Sequence, residues 1–375
     1  MSPETLPYLI TAASGRALTA SAARGGHAVV VIDYFADTDT RATATVRRAA
    51  VAHSLQFDEA LLLREADDLA PSGRCAGLVY GSGFEDRTTL LARLCAGRRL
   101  YGNAPRTVAA LKDPACFFPL LDELGIAHPE VRLERPARQE GWLAKRVGAC
   151  GGGHVLPAHR CPEDTADLYF QRFERGRSLS VLFLANGRRA HVIGFNEQWY
   201  AGQLQPAPFA YGGAVGGLRL SAEVRSAITA ALNDLVSTTG LVGINGLDFL
   251  LRDNRVSVLE INPRPTSTME LYDADYPGGL FAWHLAACDG ELPSSPPKPL
   301  VARAHAIVFA ARGIHVDATL GLPDWCSDRP APDTYIAAGA PLCTIHAAGR
   351  SAEHAAHNLR RRRRQMADIL NAEAA

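Results

Sequence analysis

Gly246 to Arg264 reads GLDFLLRDNRVSVLEINPR. Two apolar runs, Gly246–Leu251 and Val256–Ile261, flank Asp253-Asn254, a pair suited to a tight turn. The pattern predicts an antiparallel hairpin. Side chains alternate along a strand, so Glu260 and Asn262 share a face, and Arg264 continues it unless Pro263 bends the chain away. Pairing brings the Asp248 carboxylate beside Glu260. Two carboxylates and a carboxamide oxygen at one strand end make a hard-oxygen set. Mg²⁺ prefers such ligands and completes its shell with phosphate oxygens and water. Arg264 is spaced to grip a phosphate or carboxylate with both arms of its fork. The competing explanation is a polar outer strand face. The apolar flanks and the distal Asp248 favour the metal.

Upstream lies Lys145-Arg146-Val147-Gly148-Ala149-Cys150-Gly151-Gly152-Gly153-His154. Glycines let a ligand approach the backbone, and successive N–H groups cradle phosphate oxygens. A flexible hairpin tip has the same glycines. The lysine decides between them, because the chain contains only Lys112, Lys145 and Lys298, and arginine carries nearly all other positive charge. Lysine and arginine are not interchangeable at a compact phosphate site. No G-K-[ST] follows, so this is not a Walker A loop. Between the two motifs, Phe170-Gln171-Arg172-Phe173-Glu174-Arg175-Gly176 reads as a strand running into a charged link. Such a hinge can present backbone groups to a nucleobase, with Gln171 or Glu174 taking polar groups.

The N-terminal hundred residues alternate strands and helices: Tyr8–Ala12, then Ala17–Arg24, His27–Asp33, Gly77–Tyr80 and Leu90–Cys95. That order predicts a parallel α/β sheet. Asp33 ends a second strand where a ribose-binding acid sits in dinucleotide folds, but the first loop lacks G-x-G-x-x-G, so the sheet reads as scaffold. Gly15, Arg16 and the Gly81–Glu85 loop stand at strand ends, where ligands of such sheets bind. A helix over Thr107–Leu111 restarts at Asp113-Pro114, and Phe117, Phe118, Leu120, Leu121 and Leu124 form a core stripe. Strands are expected at Trp142–Arg146, Leu168–Phe173, Leu179–Leu184 and His191–Phe195, with a hairpin turn at Asn186-Gly187. Ser221–Thr239 reads as a helix stopped by Gly240. Leu292–Pro299 is a linker. A strand-rich tail and a helix from Ala352 follow, and the Arg360–Arg364 run reads as a solvated helix face.

At 375 residues the chain is expected to hold two or three domains. Its 39 basic and 39 acidic residues cancel, which argues against a nucleic-acid partner. No apolar run approaches the ~18 residues of a membrane span. Eight scattered cysteines without metal spacing read as reduced thiols. Met1–Thr5 lacks a basic signal region, and the expectation is a cytoplasmic protein.

In this order, the motifs resemble the ATP-grasp superfamily, which includes D-alanine–D-alanine ligase, glutathione synthetase and biotin carboxylase. The resemblance covers roughly residues 1 to 300, starting at Tyr101-Gly102-Asn103…Lys112-Asp113. Asn262-Pro263-Arg264-Pro265-Thr266-Ser267-Thr268-Met269-Glu270, with the tail Gly339–Ile345, resembles more narrowly the carboligases related to biotin carboxylase. It implies an α/β ATP-grasp fold with a Rossmann-like domain at 1–103, an ATP-grasp domain at 104–297 and a small strand-rich domain at 298–375. It implies ATP and Mg²⁺ as cofactors, with Mn²⁺ as a substitute. Lys112 and Lys145 would contact phosphates, and Gly151, Gly152 and Gly153 would close over the γ-phosphate. Gln171, Arg172, Phe173 and Glu174 would line the adenine site. Asp248, Glu260 and Asn262 would hold metal, and Arg264 would stabilise the transferred phosphoryl group.

The implied reaction activates a carboxylate as an acyl phosphate, releases ADP and lets an amine attack. Substrates would be a small acid and an amine in cofactor or small-molecule biosynthesis, glutamate addition being one candidate, and a homodimer is compatible with it. No biotin-accepting Met-Lys-Met motif exists, so carboxylation ranks below amide formation. A non-catalytic nucleotide-binding regulator is the other alternative, against which the intact Asp248/Glu260/Asn262/Arg264 set counts. Glu85, Glu197, Gln198, Tyr211 and Gly213 are candidate acceptor-pocket residues.

Overall fold

The computed structural model describes residues 6–48, 51–52, 56–161, 166–202, 208–295, 297, 299–317 and 320–372. Met1–Thr5, and Pro296 and Lys298 of the expected linker, lie outside the described residues.

The N-terminal region is a parallel sheet in the order Thr45–Arg48, Val29–Asp33, Tyr8–Ala12, Gly77–Tyr80, Leu100–Tyr101. Alternation explains its two-sided burial. Leu9, Ile32 and Leu78 pack with Leu62, Ala66 and Leu90 on one face. Ile10, Val31 and Val79 meet Tyr276, Leu280 and Phe281 on the other. Helix Gly279–Cys288 thus rivets this sheet to the rest of the chain. The Thr45–Arg48 strand, which has no apolar run to betray it, and the Glu59–Leu69 helix, capped by Asp58 on the Leu61 N–H, were not read from sequence.

Two antiparallel sheets form the centre. The smaller runs Leu156–Pro157, Trp142–Arg146, Leu168–Arg172, Val131–Arg132. The larger has eight strands: Arg255–Asn262, Val242–Arg252, Arg177–Asn186, Ala190–Tyr200, Tyr211–Val215, Ala302–Phe309, Pro341–Gly349 and Cys326–Ser327. Asp253 and Asn254 both take positive φ, 50° and 61°, as the expected hairpin requires. Helix Ala222–Thr239 starts at Ser221, whose hydroxyl accepts the Val224 N–H, and ends at left-handed Gly240. Its Val224, Ile228, Leu232 and Leu235 pack with Phe117, Phe118 and Leu121 and with the inner face of the hairpin strands.

Beyond the linker the chain extends the large sheet: Ala302–Phe309 pairs with Tyr211–Val215, and Pro341–Gly349 pairs outside it. Helix Ala352–Ala372 covers these strands through Ala355, Leu359 and Met366. Within the arginine run, Arg362 lies over the Trp325 ring and donates to the His346 carbonyl, and its neighbours are exposed. All eight cysteines are free thiols. Among the described residues no helix is long and apolar enough to cross a membrane.

Candidate active site

The hairpin sets Asp248 directly opposite Glu260 and Gly246 opposite Asn262. A bulge after Asp248 shifts the register without separating the two acids. Both Asp248 oxygens are held by amides: Gln198 Nε2 donates to Oδ1 at 3.0 Å and Asn262 Nδ2 to Oδ2 at 3.1 Å. Lys112 Nζ lies 3.4 Å from Glu260 Oε2 and 3.3 Å from the Ile261 carbonyl. Burial, then the neighbouring Glu260 charge, pushes the Asp248 carboxyl up. Burial also opposes ionisation of Glu260, but Lys112 and Lys145 outweigh it and hold that carboxyl down. Two adjoining acids with opposed shifts share a proton unless a cation neutralises both. The donor set therefore fits Mg²⁺: two carboxylates are adjacent, and rotation of the Asn262 amide would turn its oxygen to the same point.

These groups line a cleft of about 300 Å³ between the two antiparallel sheets. Lys145, Gly151, Gly152, Gln171, Arg172, Phe173 and Glu174 share its wall with Asp248, Glu260, Asn262 and Arg264. Lys145 is buried on its strand, and burial lowers its pKa against the pull of Glu260. Gln171 is buried, with Nε2 3.5 Å from the Leu259 carbonyl, and Glu174 accepts from Ser257 Oγ at 3.0 Å. Phe173 is 46% exposed, an unusual position for a large apolar ring unless something covers it. Lys112 sits behind Glu260 beside a smaller pocket. Gly153 does not line the large cleft.

The glycine loop reaches the opposite wall. Gly151 O accepts the Tyr211 N–H at 2.9 Å. A Cβ on Gly152 would stand 2.0 Å from the Phe209 carbonyl oxygen. Only glycine fits there, so the loop packs directly against the opposite wall.

Arg264 closes one end. Its Nε donates to Glu85 Oε1 at 2.5 Å, and Glu85 Oε2 accepts the Gly83 and Phe84 N–H groups at 2.8 and 3.0 Å. Burial opposes the Glu85 charge, yet Arg264 and Lys112 keep its pKa low. The Gly81–Glu85 loop of the parallel sheet thereby enters the site.

Other sequence candidates fall elsewhere. Glu197 is in a half-exposed ion pair with Arg177, and an added Cβ at Gly213 would meet the His305 carbonyl at 2.2 Å, a packing role. Arg16 turns away to Glu270 and Asp328. Asp33 accepts the Gly15, Phe35 and Ala36 N–H groups, a purely scaffolding task. Gln198 and Tyr211 do line the cleft. So do Ser178 and Ser180, which sequence reading missed, with Ser180 opposite Asp248 in register. Two serines at i, i+2 in an apolar strand were the available signal.

Residues 106–268 match the family model of the ATP-grasp domain. The chain is 23% identical over 308 residues to an uncharacterized protein of Methanocaldococcus jannaschii, covering 77% of this chain and 73% of that one. It is 23% identical over 237 residues to the carbamoyl phosphate synthase large chain of Deinococcus deserti, covering 57% of this chain. It spans only 23% of that relative's length. Among solved structures, N5-carboxyaminoimidazole ribonucleotide synthetase from Thermotoga maritima superposes with a TM-score of 0.68 at 16% identity, covering 96% of this chain and 98% of that one. L-amino acid ligase from Bacillus licheniformis gives 0.66 at 15%, covering 96% and 97%. Residues 106–268 thus match an ATP-grasp domain, and the chain has the fold of these ATP-grasp structures.

Proposed function

We propose that this ATP-grasp chain is an ATP-dependent, ADP-forming ligase that joins a small carboxylic acid to an amine. The observation carrying the proposal is the Asp248–Glu260 pair beneath Lys112 and Lys145, with Arg264 at its end. Two acids, Lys145 and Arg264 in one cleft, with Lys112 behind Glu260, match a metal–triphosphate complex, which brings both charges. Likeness over nearly the full chain to an L-amino acid ligase is compatible with formation of a C–N bond.

Asp248, Glu260 and Asn262 would hold Mg²⁺, which when bound supplies charge neutralisation between the phosphates. Lys145, deprived of water, offers a concentrated charge to phosphate oxygens, and Lys112 keeps Glu260 ionised to receive the metal. Gly151 and Gly152 would exclude water while the acid's oxygen takes the γ-phosphoryl group. Arg264 would steady the negative charge that builds on that group and on the resulting acyl phosphate. The amine then attacks the acyl carbon, phosphate leaves, and the amine's proton passes to solvent or a nearby base. Gln171, Arg172, Phe173 and Glu174 would receive adenine, for which the exposed Phe173 ring offers a stacking face. On this reading residues 1–103 supply the Glu85 loop, 104–297 the nucleotide cleft, and 298–375 extend the sheet behind Tyr211.

The test is ADP release from Mg-ATP against pooled acids and amines, with and without bicarbonate. Release that needs acid and amine together supports the ligase. Release that needs bicarbonate instead would transfer the assignment to carboxylation, the activity class named for a biotin carboxylase domain of similar fold.

A further inference from the structure

The large sheet carries a second cluster of metal-binding side chains outside the nucleotide set. Pairing of Ala302–Phe309 with Pro341–Gly349 sets His305 directly opposite His346. Residues opposite one another across an antiparallel pair share a face, with Cβ atoms about 5 Å apart. Their rings lie 6.2 Å apart and nearly perpendicular, at 88°. Glu270, in the short turn of helix Ser267–Leu271, completes the group: its Oε2 is 4.0 Å from His305 Nδ1. One ligand atom from each of the three lies within 4.8 Å of the others.

Each side chain has its outer atom occupied. His305 Nε2 meets the Tyr211 hydroxyl at 2.7 Å, and His346 Nε2 meets Ser327 Oγ at 2.6 Å. Glu270 Oε1 accepts from Arg16. His305 is 1% exposed, and among the described residues its buried Nδ1 has no hydrogen-bond partner. A buried polar atom left unsatisfied is costly, so a group placed there needs a reason. Metal-bound histidines show this arrangement: the outer nitrogen is fixed by a hydrogen bond, and the inner one faces the ion. The surroundings also favour a cation. Arg16 faces Glu270, Asp328 at 2.8 Å and Asp39 at 3.9 Å, three carboxylates against one guanidinium.

We propose that Glu270, His305 and His346 form a second metal site, for a divalent transition cation of the zinc class. Two imidazoles and one carboxylate suit zinc and its neighbours, whereas Mg²⁺ prefers an all-oxygen set. Three protein ligands leave zinc an open position for water or a substrate atom. Tyr211 joins the two regions, since it touches His305 and lines the nucleotide cleft.

The probe is Zn²⁺ titrated by calorimetry into the chelator-treated, desalted full chain, with Co²⁺ absorption reporting the ligands. A single Zn²⁺ is expected, with a Co²⁺ spectrum of low coordination number. His305→Ala and His346→Ala should abolish it. Tyr211→Phe, which keeps all three ligands, should weaken it roughly 10–100-fold. Glu260→Ala, which strips the nucleotide-side acid, should leave it intact. Because binding is read without turnover, failure of the ligase reading does not touch this result. Should His305→Ala not fold, His346→Gln and Tyr211→Phe carry the test. Absence of stoichiometric Zn²⁺ binding, survival of binding in the histidine variants, or its loss in Glu260→Ala would overturn the proposal.

Discussion

Arg264 and Glu85 stand 179 positions apart in sequence, yet Arg264 Nε donates to Glu85 Oε1 at 2.5 Å in a buried pair. The contact ties the loop after Gly77–Tyr80 to the end of the hairpin that carries Glu260. It also fixes the guanidinium before any substrate arrives, a preorganised charge of the kind that stabilises developing negative charge. Removing one partner leaves the other charged and buried. Glu85→Ala should therefore cost about 3–5 kcal/mol in urea unfolding, and Glu85→Gln less, since the amide oxygen still accepts. Equal stability of Glu85→Ala and wild type would show that the pair is not buried in solution.

Arg264→Ala should lower ADP release about 10²–10³-fold, as loss of an oxyanion donor does in other enzymes. Single-turnover measurements separate this from weaker ATP binding, which should change less.

Glu260→Ala removes the acid that Lys112 touches and that holds Lys145 charged. ADP release with Mg²⁺ should vanish while ATP binding without metal persists or tightens, because two cations lose their carboxylate. Isothermal titration with and without Mg²⁺ reads both.

Gly152→Ala should act on closure. A methyl would stand 2.0 Å from the Phe209 oxygen, and φ at this residue is +71°. The loop must then leave the opposite wall. Turnover should fall about 10–100-fold, the range for misplacing a positioning element, with little change in melting temperature.

Stability should fall in acid through His284. Its Nδ1 accepts the Ile244 N–H at 2.9 Å and its Nε2 donates to the Tyr101 carbonyl at 3.0 Å. Burial drives its pKa down to about 4. The unfolded imidazole titrates near ~6.5, so between these values the unfolded chain takes up the extra proton. The stabilisation is full above pH ~6.5 and is lost as pH falls towards 4, worth about 3 kcal/mol at the acid end. His284→Gln should lower stability at neutral pH and flatten its slope across that window.

The hairpin acids were legible because their geometry is local. A turn and a period of two place Asp248 beside Glu260 whatever surrounds them. The Gly240 stop and the apolar runs of the parallel strands were legible for the same reason. Glu85 facing Arg264 was not, since it depends on how two regions dock. Nor was His305 opposite His346: it requires the tail to add strands to the central sheet, and no short pattern encodes which edge a strand joins. Arg16 misled because the end of a parallel strand is a common ligand position, whereas here it is filled by Glu270 and Asp328.

The most direct measurement is ADP release from Mg-ATP by the wild-type chain and Glu260→Ala, with pooled acids and amines supplied separately and together. The account predicts release only when acid and amine are both present, and none from the variant. Release of AMP, or acid-and-amine-dependent ADP release undiminished in Glu260→Ala, would contradict it.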